Sequence, residues 1–406
     1  MVDTETLVSE RLFTTRFFLI FAYSFTVFVS VFQLVPAAPY RVLDLGGSTA
    51  VVGLFQGVLT YSSALSAPFT GAIADRVGHR PVLVTVSLVL AMFAASYAFI
   101  TSYQLMFAVA FVHGLVWSSL LSASGAYMTA TVPPSRRAEG IGFWGLASVL
   151  ALGAAPAAGF WVYRHGWRAL CFEVAALNLV MAVIAWCLPD DREEANAVTA
   201  GRPRARSRPG FAGVIESHVE WRVLLLSLGL GLVTFGYGGL LSFSSLFVDS
   251  LGLTPRSEFL TAMAVSILVF RLTVGRRLDG LGHRRVLVWA FVPPSLGLLL
   301  LALTHERLLL VTAALVFGGG FGLVYPAYTA YMLSHVAPHR RGAAFGAMLF
   351  AFDTGIGSGA SVLGSVVSAY GFRFAFGLAA VIAALALPYF LYAERRFGFE
   401  ARPLAG

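Results

Sequence analysis

The sequence is poor in charge and contains no lysine. Charged residues make up 12% of its 406 positions, apolar residues make up 58%, and all 28 basic residues are arginine. A water-soluble domain needs considerably more charge to cover its surface, so this composition excludes a soluble protein. Without lysine there is no phosphate-binding loop of the kind that hydrolyses ATP. We therefore expect no cofactor, and uphill work by this chain would need an ion gradient, for which protons are the expected ion.

Cysteine is also scarce. The two cysteines, Cys171 and Cys187, lie on one predicted helix, roughly 24 Å apart along its axis. That separation excludes a disulfide between them. The sequence also contains no His/Cys cluster with metal-site spacing and no nucleophile elbow, so we expect neither a fixed metal site nor an enzyme.

Long apolar runs are abundant. Each is about 20 residues long, which is enough for a helix to cross a bilayer. They predict an all-α membrane protein with twelve transmembrane spans. The predicted spans are 17–39, 50–73, 81–100, 104–131, 138–162, 168–188, 223–248, 258–275, 286–303, 308–334, 343–369 and 374–393.

The arginines are distributed unevenly between the two sides of the membrane. With the N-terminus inside, few of them fall in outer connections, Arg271 falls within a span, and the rest fall in inner connections and tails. This bias predicts that both termini are cytoplasmic. It also explains the net charge of +8 without nucleic acid as a partner. The outer arginines are Arg41, Arg164, Arg168, Arg256, Arg307 and Arg373.

A short polar loop occurs twice, at 71–80 and at 275–284, with an offset of 204 residues. Blocks around 127–142 and 331–346 match at the same offset, which argues for an internal duplication. Secondary transporters are commonly built from two such membrane halves. The predicted division is an N-terminal half at 1–188, a cytoplasmic linker at 189–222 and a C-terminal half at 223–406.

The first loop resembles the signature of the major facilitator superfamily, Gly-x-x-x-Asp-Arg-x-Gly-x-Arg, and it follows the second span as it does in that family. The second copy fits less fully, because Gly280 replaces the arginine after Asp279. The resemblance covers nearly the whole chain and implies the major facilitator fold of two pseudo-symmetric six-helix halves. It also implies a cytoplasmic gate, in which Asp75 accepts hydrogen bonds from Arg136 or from amides that begin the eleventh span. The gate residues are Gly71, Asp75, Arg76, Gly78, Arg80, Arg136, Gly275, Asp279, Gly282 and Arg284.

Three further segments, 133–145, 235–243 and 352–357, are similar to a bacterial drug-efflux-like subgroup. That subgroup includes arabinose-efflux permeases and exporters of opine metallophores. The resemblance implies a bacterial inner-membrane protein, but it names no substrate.

The fifth span resembles the antiporter motif of the superfamily at Gly153, Pro156 and Gly159. Small residues there allow close packing and the proline bends the helix. A purely structural kink is the alternative. The fourth span lacks the arginine that proton-coupled exporters of the superfamily often carry, and His113 is its only ionisable residue.

Four ionisable residues fall within predicted spans: His113, Glu173, Arg271 and Asp353. A charge in hydrocarbon is costly, so each should face protein or water and is a functional candidate. Asp353 lies roughly 17 Å from the start of its span, near the midplane, where a carboxyl group suits reversible protonation. A permanent Arg271–Asp353 ion pair is the alternative. Imidazole suits proton relay at His113, with a neutral, hydrogen-bonded histidine as the alternative, and Glu173 is expected to be structural.

Further cavity candidates follow from the plan of the superfamily, in which the first, fourth, seventh and tenth spans line the central cavity. Together with His113, Arg271 and Asp353, the predicted coupling or substrate residues are Gln33, Gln56, Trp144, Tyr237 and Tyr325. Aromatic lining would suit an amphipathic or aromatic solute.

The sequence thus predicts a monomeric transporter that works by alternating access, with membrane lipids around it and a small molecule as substrate. Proton-coupled antiport that exports a small organic molecule is the preferred interpretation, and metallophore-like molecules are included in that class. An importer or facilitator of a sugar or carboxylate, a lipid translocase, and a non-transporting sensor are the alternatives.

Overall fold

The computed structural model describes residues 12–133, 136–190, 221–274, 282–336 and 341–397, and the regular elements of these ranges are helices. We call the described residues before 191 the first half and those after 220 the second half. The helices of the first half are α1 (Thr15–Asp44), α2 (Thr49–Val52), α3 (Leu54–Val77), α4 (His79–Tyr97), α5 (Tyr103–Thr131), α6 (Arg137–Tyr163) and α7 (Trp167–Cys187). Those of the second half are α8 (Trp221–Ser250), α9 (Glu258–Thr273), α10 (His283–Ala290), α11 (Val292–Ala302), α12 (Arg307–His335), α13 (Arg341–Ala384) and α14 (Ala386–Phe397).

Within the described ranges, ten helical segments are long and apolar enough to cross a membrane. Two features account for the difference from the predicted twelve. Helix α9, at the eighth predicted span, has only 16 described residues. The segment Ala344–Phe397 is 54 residues long, and Gly371, with φ 80°, divides it at the junction of the eleventh and twelfth spans. The predicted all-α membrane fold is confirmed. The division at a linker of 189–222 stays a prediction, because 191–220 lie outside the described residues.

Glycine turns repeat between the two halves. Gly78 follows α3 with φ 96°, and Gly282 precedes α10 with φ 80°. Gly166, before α7, and Gly371 form the other pair, with φ 102° and 80°. A positive φ is strained for residues with a Cβ, so these loops need glycine to reverse direction within a few residues. The repeat in sequence is therefore also a repeat in backbone geometry.

Helices α8 and α13 pack backbone to backbone within the second half. A Cβ added to Gly238 would collide with the carbonyl oxygen of Ile356, and one added to Gly359 would collide with that of Phe235. The Thr234 hydroxyl on α8 donates to the Phe352 carbonyl on α13 at 3.1 Å. Small residues let membrane helices approach closely and gain van der Waals contact without a hydrophobic driving force.

The described helices of the two halves meet mainly along four pairs: α1 with α8, α3 with α13, α6 with α9, and α2 with α13. At the second pair, the Tyr61 hydroxyl is 2.5 Å from that of Ser358. At the third, the Thr261 hydroxyl donates to the Gly153 carbonyl at 3.1 Å.

Two clusters of buried apolar side chains show how far the contact between the two halves extends. The larger includes residues of both halves, such as Leu34, Phe55, Phe243 and Phe259. The smaller belongs to the first half alone and is built at the end of the bundle where α3 meets α4, around Leu12, Phe17, Leu83, Tyr127 and Leu188. The halves thus share a core at one end, and at the other end the first half has a core of its own.

We expect the substitution Gly238→Ala to lower the free energy of unfolding of the detergent-purified protein by about 1–3 kcal/mol, because the added methyl group overpacks the α8–α13 contact. Thermal unfolding followed by tryptophan fluorescence measures the effect. Gly346→Ala is the matched control, since a Cβ there meets nothing within 4 Å. Equal stability of the two variants would contradict the packing argument.

Candidate functional site

Arg271 lies where the two halves meet. Its Nε donates to the Gly322 carbonyl of α12 at 3.0 Å, and its Nη1 donates to the Gly145 carbonyl of α6 at 3.3 Å. The guanidinium group therefore connects the second half to the first. It has five N–H donors, and the other three have no acceptor among the described residues. The residue is partly accessible.

Asp353 lies at the same interface, on α13. Ser63 of α3, in the first half, lies near its carboxyl group. The residue is partly accessible as well. Because Asp353 belongs to the second half and Ser63 to the first, the surroundings of Asp353 depend on how the halves are arranged.

Tyr325, on α12, is close to both charged groups. Its ring packs edge to face against Phe352 with 5.2 Å between centroids. Tyr237 is the other tyrosine near Arg271, and it stacks on Phe321 at 4.4 Å. In the described part of the chain Arg271 and Asp353 form no ion pair with each other, so the alternative of a permanent pair is not what this structure contains.

Trp144 and Gln56 border this region. Trp144 precedes Gly145 on α6, and its indole N–H donates to the Ser24 hydroxyl of α1 at 2.6 Å. Gln56 is buried on α3, and its side-chain oxygen has no hydrogen-bond partner within the described ranges.

His113 and Gln33 lie elsewhere, inside the first half. The His113 ring stacks on Phe93 at 5.6 Å and its Nδ1 is 3.3 Å from the Tyr97 hydroxyl, both on α4. Together with Ser30 and Asn178 it lines a small cavity between helices of that half. The structure therefore does not bring His113 together with Asp353, and a coupling role for it stays a prediction.

Gln33 is hydrogen-bonded to Glu173, the other acidic residue singled out within the predicted spans. Its amide nitrogen donates to Glu173 at 3.0 Å, and Gly159 of the antiporter-like motif packs closely against its backbone. The Gly153 carbonyl, in the same motif, accepts the bond from the Thr261 hydroxyl of the second half. Pro156 lies between Gly153 and Gly159 within α6. The motif thus provides close contact on both sides of α6.

The predicted gate residues form contacts within each half where they are described. Arg136 bonds to Glu139 at 2.8 Å, and Arg80 donates to the Trp186 carbonyl at 2.6 Å. Arg284 binds Glu394 through two bonds of 2.7 Å. Gly71, Asp75 and Arg76 lie on α3, with Arg76 exposed, and Gly78 and Gly282 form the turns after and before their helices. Gly275 and Asp279 lie outside the described residues, so the gate stays a prediction.

A group that the sequence did not reveal joins the halves at the opposite end, and we call it the outer clasp. It consists of Tyr40, Phe160, Asp249 and Arg256. The Tyr40 hydroxyl of α1 donates to Asp249 of α8 at 3.0 Å, and Arg256 pairs with Asp249 at 2.8 Å. The Arg256 guanidinium also lies 4.5 Å above the Tyr40 ring and 5.9 Å from the Phe160 ring. The only sequence signal was charge at the outer ends of otherwise apolar spans.

The hydrogen bonds between the halves extend from this clasp inward and stop at Arg271. Between described residues they are Tyr40–Asp249, Tyr61–Ser358, Thr261–Gly153 and Arg271–Gly145. Arg271 therefore makes the innermost of these bonds, and Asp353 lies at the same interface on α13. No cluster of three or more metal-ligating side chains occurs among the described residues.

Apolar membrane helices in two repeated halves, with two charged residues of the spans where the halves meet, are typical of a secondary transporter. The model of the Major Facilitator Superfamily matches residues 16–360 and 259–403. The chain belongs to that superfamily, and it is a multi-pass membrane transporter rather than an enzyme.

Its relatives include exporters and uncharacterised transporters. The staphylopine export protein of Staphylococcus aureus is 22% identical over 344 residues, which cover 82% of this chain and 85% of that protein. An uncharacterised MFS-type transporter of Burkholderia mallei is 26% identical over 349 residues, covering 84% and 82%. One from Pseudomonas aeruginosa is 32% identical over 181 residues, so the chain spans 45% of that relative's length.

Two solved structures share the fold. The nucleoside transporter NupG aligns with a TM-score of 0.72 at 18% identity, covering 94% of this chain and 99% of NupG. The human organic anion transporter MFSD10 aligns with a TM-score of 0.67 at 18% identity, covering 92% and 98%.

We expect Asp249→Asn to open the outer end of the protein more often, because it weakens the bonds to both Tyr40 and Arg256. The readout is labelling of Thr60→Cys by a membrane-impermeant maleimide, with Cys171 and Cys187 replaced by serine. Labelling should become roughly 3- to 10-fold faster, as expected for loss of one partly exposed ion pair and its neighbouring bond.

Glu258→Gln is the matched control for this experiment. It removes another outer ion pair, Arg307–Glu258 at 2.6 Å, whose two residues both belong to the second half. Faster labelling in both variants would mean that general loosening, and not the clasp, limits access.

Proposed function

We propose that this protein exports a small organic molecule in exchange for protons, with the N- and C-termini in the cytoplasm of a bacterial inner membrane. Asp353 is the proposed proton carrier. The observation that carries this proposal is its place: a carboxyl group where the halves meet, near Ser63 of the first half, with no ion-pair partner among the described residues. A group that releases and takes up protons in a transport cycle has to change its surroundings when the halves rock.

The contacts between the halves support alternating access. Among the described residues they run from the outer clasp to Arg271 and Asp353, while the smaller apolar cluster at the other end consists of residues of the first half. The arginine distribution assigns that other end to the cytoplasm. We therefore propose that the structure corresponds to an inward-open state, in which both charged groups are reached from the cytoplasm.

The direction of transport is supported by the resemblance to exporters. The staphylopine export protein is named for export, and it aligns with most of this chain. The antiporter-like Gly153-to-Gly159 segment contacts the second half through Thr261. This contact supports the proposal that helices slide at this segment as the halves rock. Proton influx in exchange for the solute would supply the energy.

We expect Asp353→Asn to abolish uncoupler-sensitive export while the protein still folds and reaches the membrane, because the amide cannot carry a proton. The measurement is an untargeted comparison of medium and cell contents. Cells expressing wild type or the variant are analysed with and without an uncoupler.

Glu173→Gln is the control, because it neutralises another carboxyl group within a span that is bonded inside the first half. It should retain export. Unchanged uncoupler sensitivity in Asp353→Asn would contradict the proposed carrier. Accumulation of a compound inside wild-type cells would instead show an importer.

A further inference from the structure

We infer that the transported molecule is a zwitterion, whose carboxylate binds Arg271 and whose ammonium group binds Asp353 in place of the proton. This inference rests on the proposed function and names its substrate class. The observation behind it is that two opposite charges lie at the inner end of the same interface, both partly accessible, and are not paired with each other.

The anion-binding side consists of Arg271, Tyr237 and Tyr325. Three N–H groups of the guanidinium have no acceptor among the described residues, and both tyrosines are close to it. Neither phenolic hydroxyl donates a hydrogen bond to a described group. A planar guanidinium with neighbouring hydroxyl donors matches the two oxygens of a carboxylate, and such charge-assisted bonds are strong away from water.

The cation-binding side consists of Asp353 and the hydroxyl groups around it. The second span presents Ser63, the tenth presents Tyr325, and Thr234 of the seventh donates to the neighbouring Phe352 carbonyl. Arg271 is the charged group nearby, beyond Tyr325. A carboxylate without an ion-pair partner in a span is costly, and either a proton or an ammonium group would neutralise it.

The anion-binding and cation-binding sides together explain the exchange of solute for proton better than either side does alone. A purely anionic solute would bind best while Asp353 holds its proton, so the two would travel together. An ammonium group instead competes with the proton for the same oxygens, so binding of the solute releases the proton to the cytoplasm. Competition for one site is what makes the two movements obligatory exchange partners.

The inference is tested by binding to the purified full chain, in the absence of any gradient. The probes are two zwitterions of different charge separation, phenylalanine and aminohexanoate. Each is compared with its analogue without the amine (phenylpropionate, hexanoate) and without the carboxylate (phenylethylamine, hexylamine). We expect at least one zwitterion to raise the melting temperature more than both of its analogues. Its binding in weakly buffered solution should also release protons.

Variants assign each charge to its residue. In Arg271→Gln the preference for the carboxylate should disappear, with apparent binding of the zwitterion roughly 10- to 100-fold weaker, as for loss of a charged hydrogen-bond partner. In Asp353→Asn the preference for the amine and the proton release should disappear. Tyr237→Phe and Tyr325→Phe keep their ring packing and should each weaken binding by roughly 2- to 10-fold.

Arg307→Gln and Tyr389→Phe are the matched controls, since Arg307 pairs with Glu258 at the outer end and Tyr389 donates to the Leu225 carbonyl within the second half. Both should bind like wild type. The inference is overturned if no zwitterion stabilises the wild type, if an analogue with one charge stabilises it equally, or if both preferences survive the two charge substitutions.

The outcome separates this inference from the proposed function. Zwitterion binding with proton release, but export that is insensitive to an uncoupler, would contradict proton-driven export and leave the binding site in place. Proton-driven export of a solute that has only one of the two charges would contradict the zwitterion inference and leave the proposed function in place.

Discussion

Inside a membrane, the protein itself must satisfy every polar group, because no water is available to do so. The backbone meets this requirement by forming helices. The few ionisable side chains meet it locally: Gln33 binds Glu173, His113 is close to the Tyr97 hydroxyl, and Arg271 uses two backbone carbonyls. At Arg271 and Asp353 the requirement is only partly met. Among the described residues, three N–H groups of Arg271 have no acceptor and Asp353 has no ion-pair partner, and both residues lie where the halves meet.

Close glycine contacts decide which parts of the bundle move together. Within the second half, α8 and α13 interlock at Gly238 and Gly359, so a shift of one backbone past the other would cause collisions along the whole contact. Contacts between the halves at the outer end combine side-chain bonds, such as Tyr40 with Asp249, with close backbone contacts, since a Cβ added to Gly53 would collide with the carbonyl oxygen of Ala360. Both kinds of contact have to separate when this end opens.

The fold was largely predictable because the lengths of the apolar runs and the positions of the glycine turns can be read directly from the sequence. Spans predicted at 104–131 and 138–162, for example, became helices at Tyr103–Thr131 and Arg137–Tyr163. The repeated turns at Gly78 and Gly282 also followed from the repeated loop.

The site was less predictable, because a helix that is apolar on all sides does not show which face meets which neighbour. His113 was expected near the central cavity, and it instead stacks on Phe93 within the first half. Arg271 and Asp353 were expected to face protein or water, but that they lie where the halves meet, near Gly145 and Ser63, could not be read from spacing. The outer clasp was missed because its four residues are far apart in the chain and only packing brings them together.

The balance of one positive and one negative group between the halves has an electrical consequence. A solute whose own charges cancel carries no net charge across the membrane, so an exchange for one proton moves one positive charge inward in each cycle. The membrane potential, negative inside, then contributes about 2.3 kcal/mol for every 100 mV, in addition to any difference in pH. A cell with an alkaline exterior, where the pH gradient offers little, could still drive such a transporter by voltage alone.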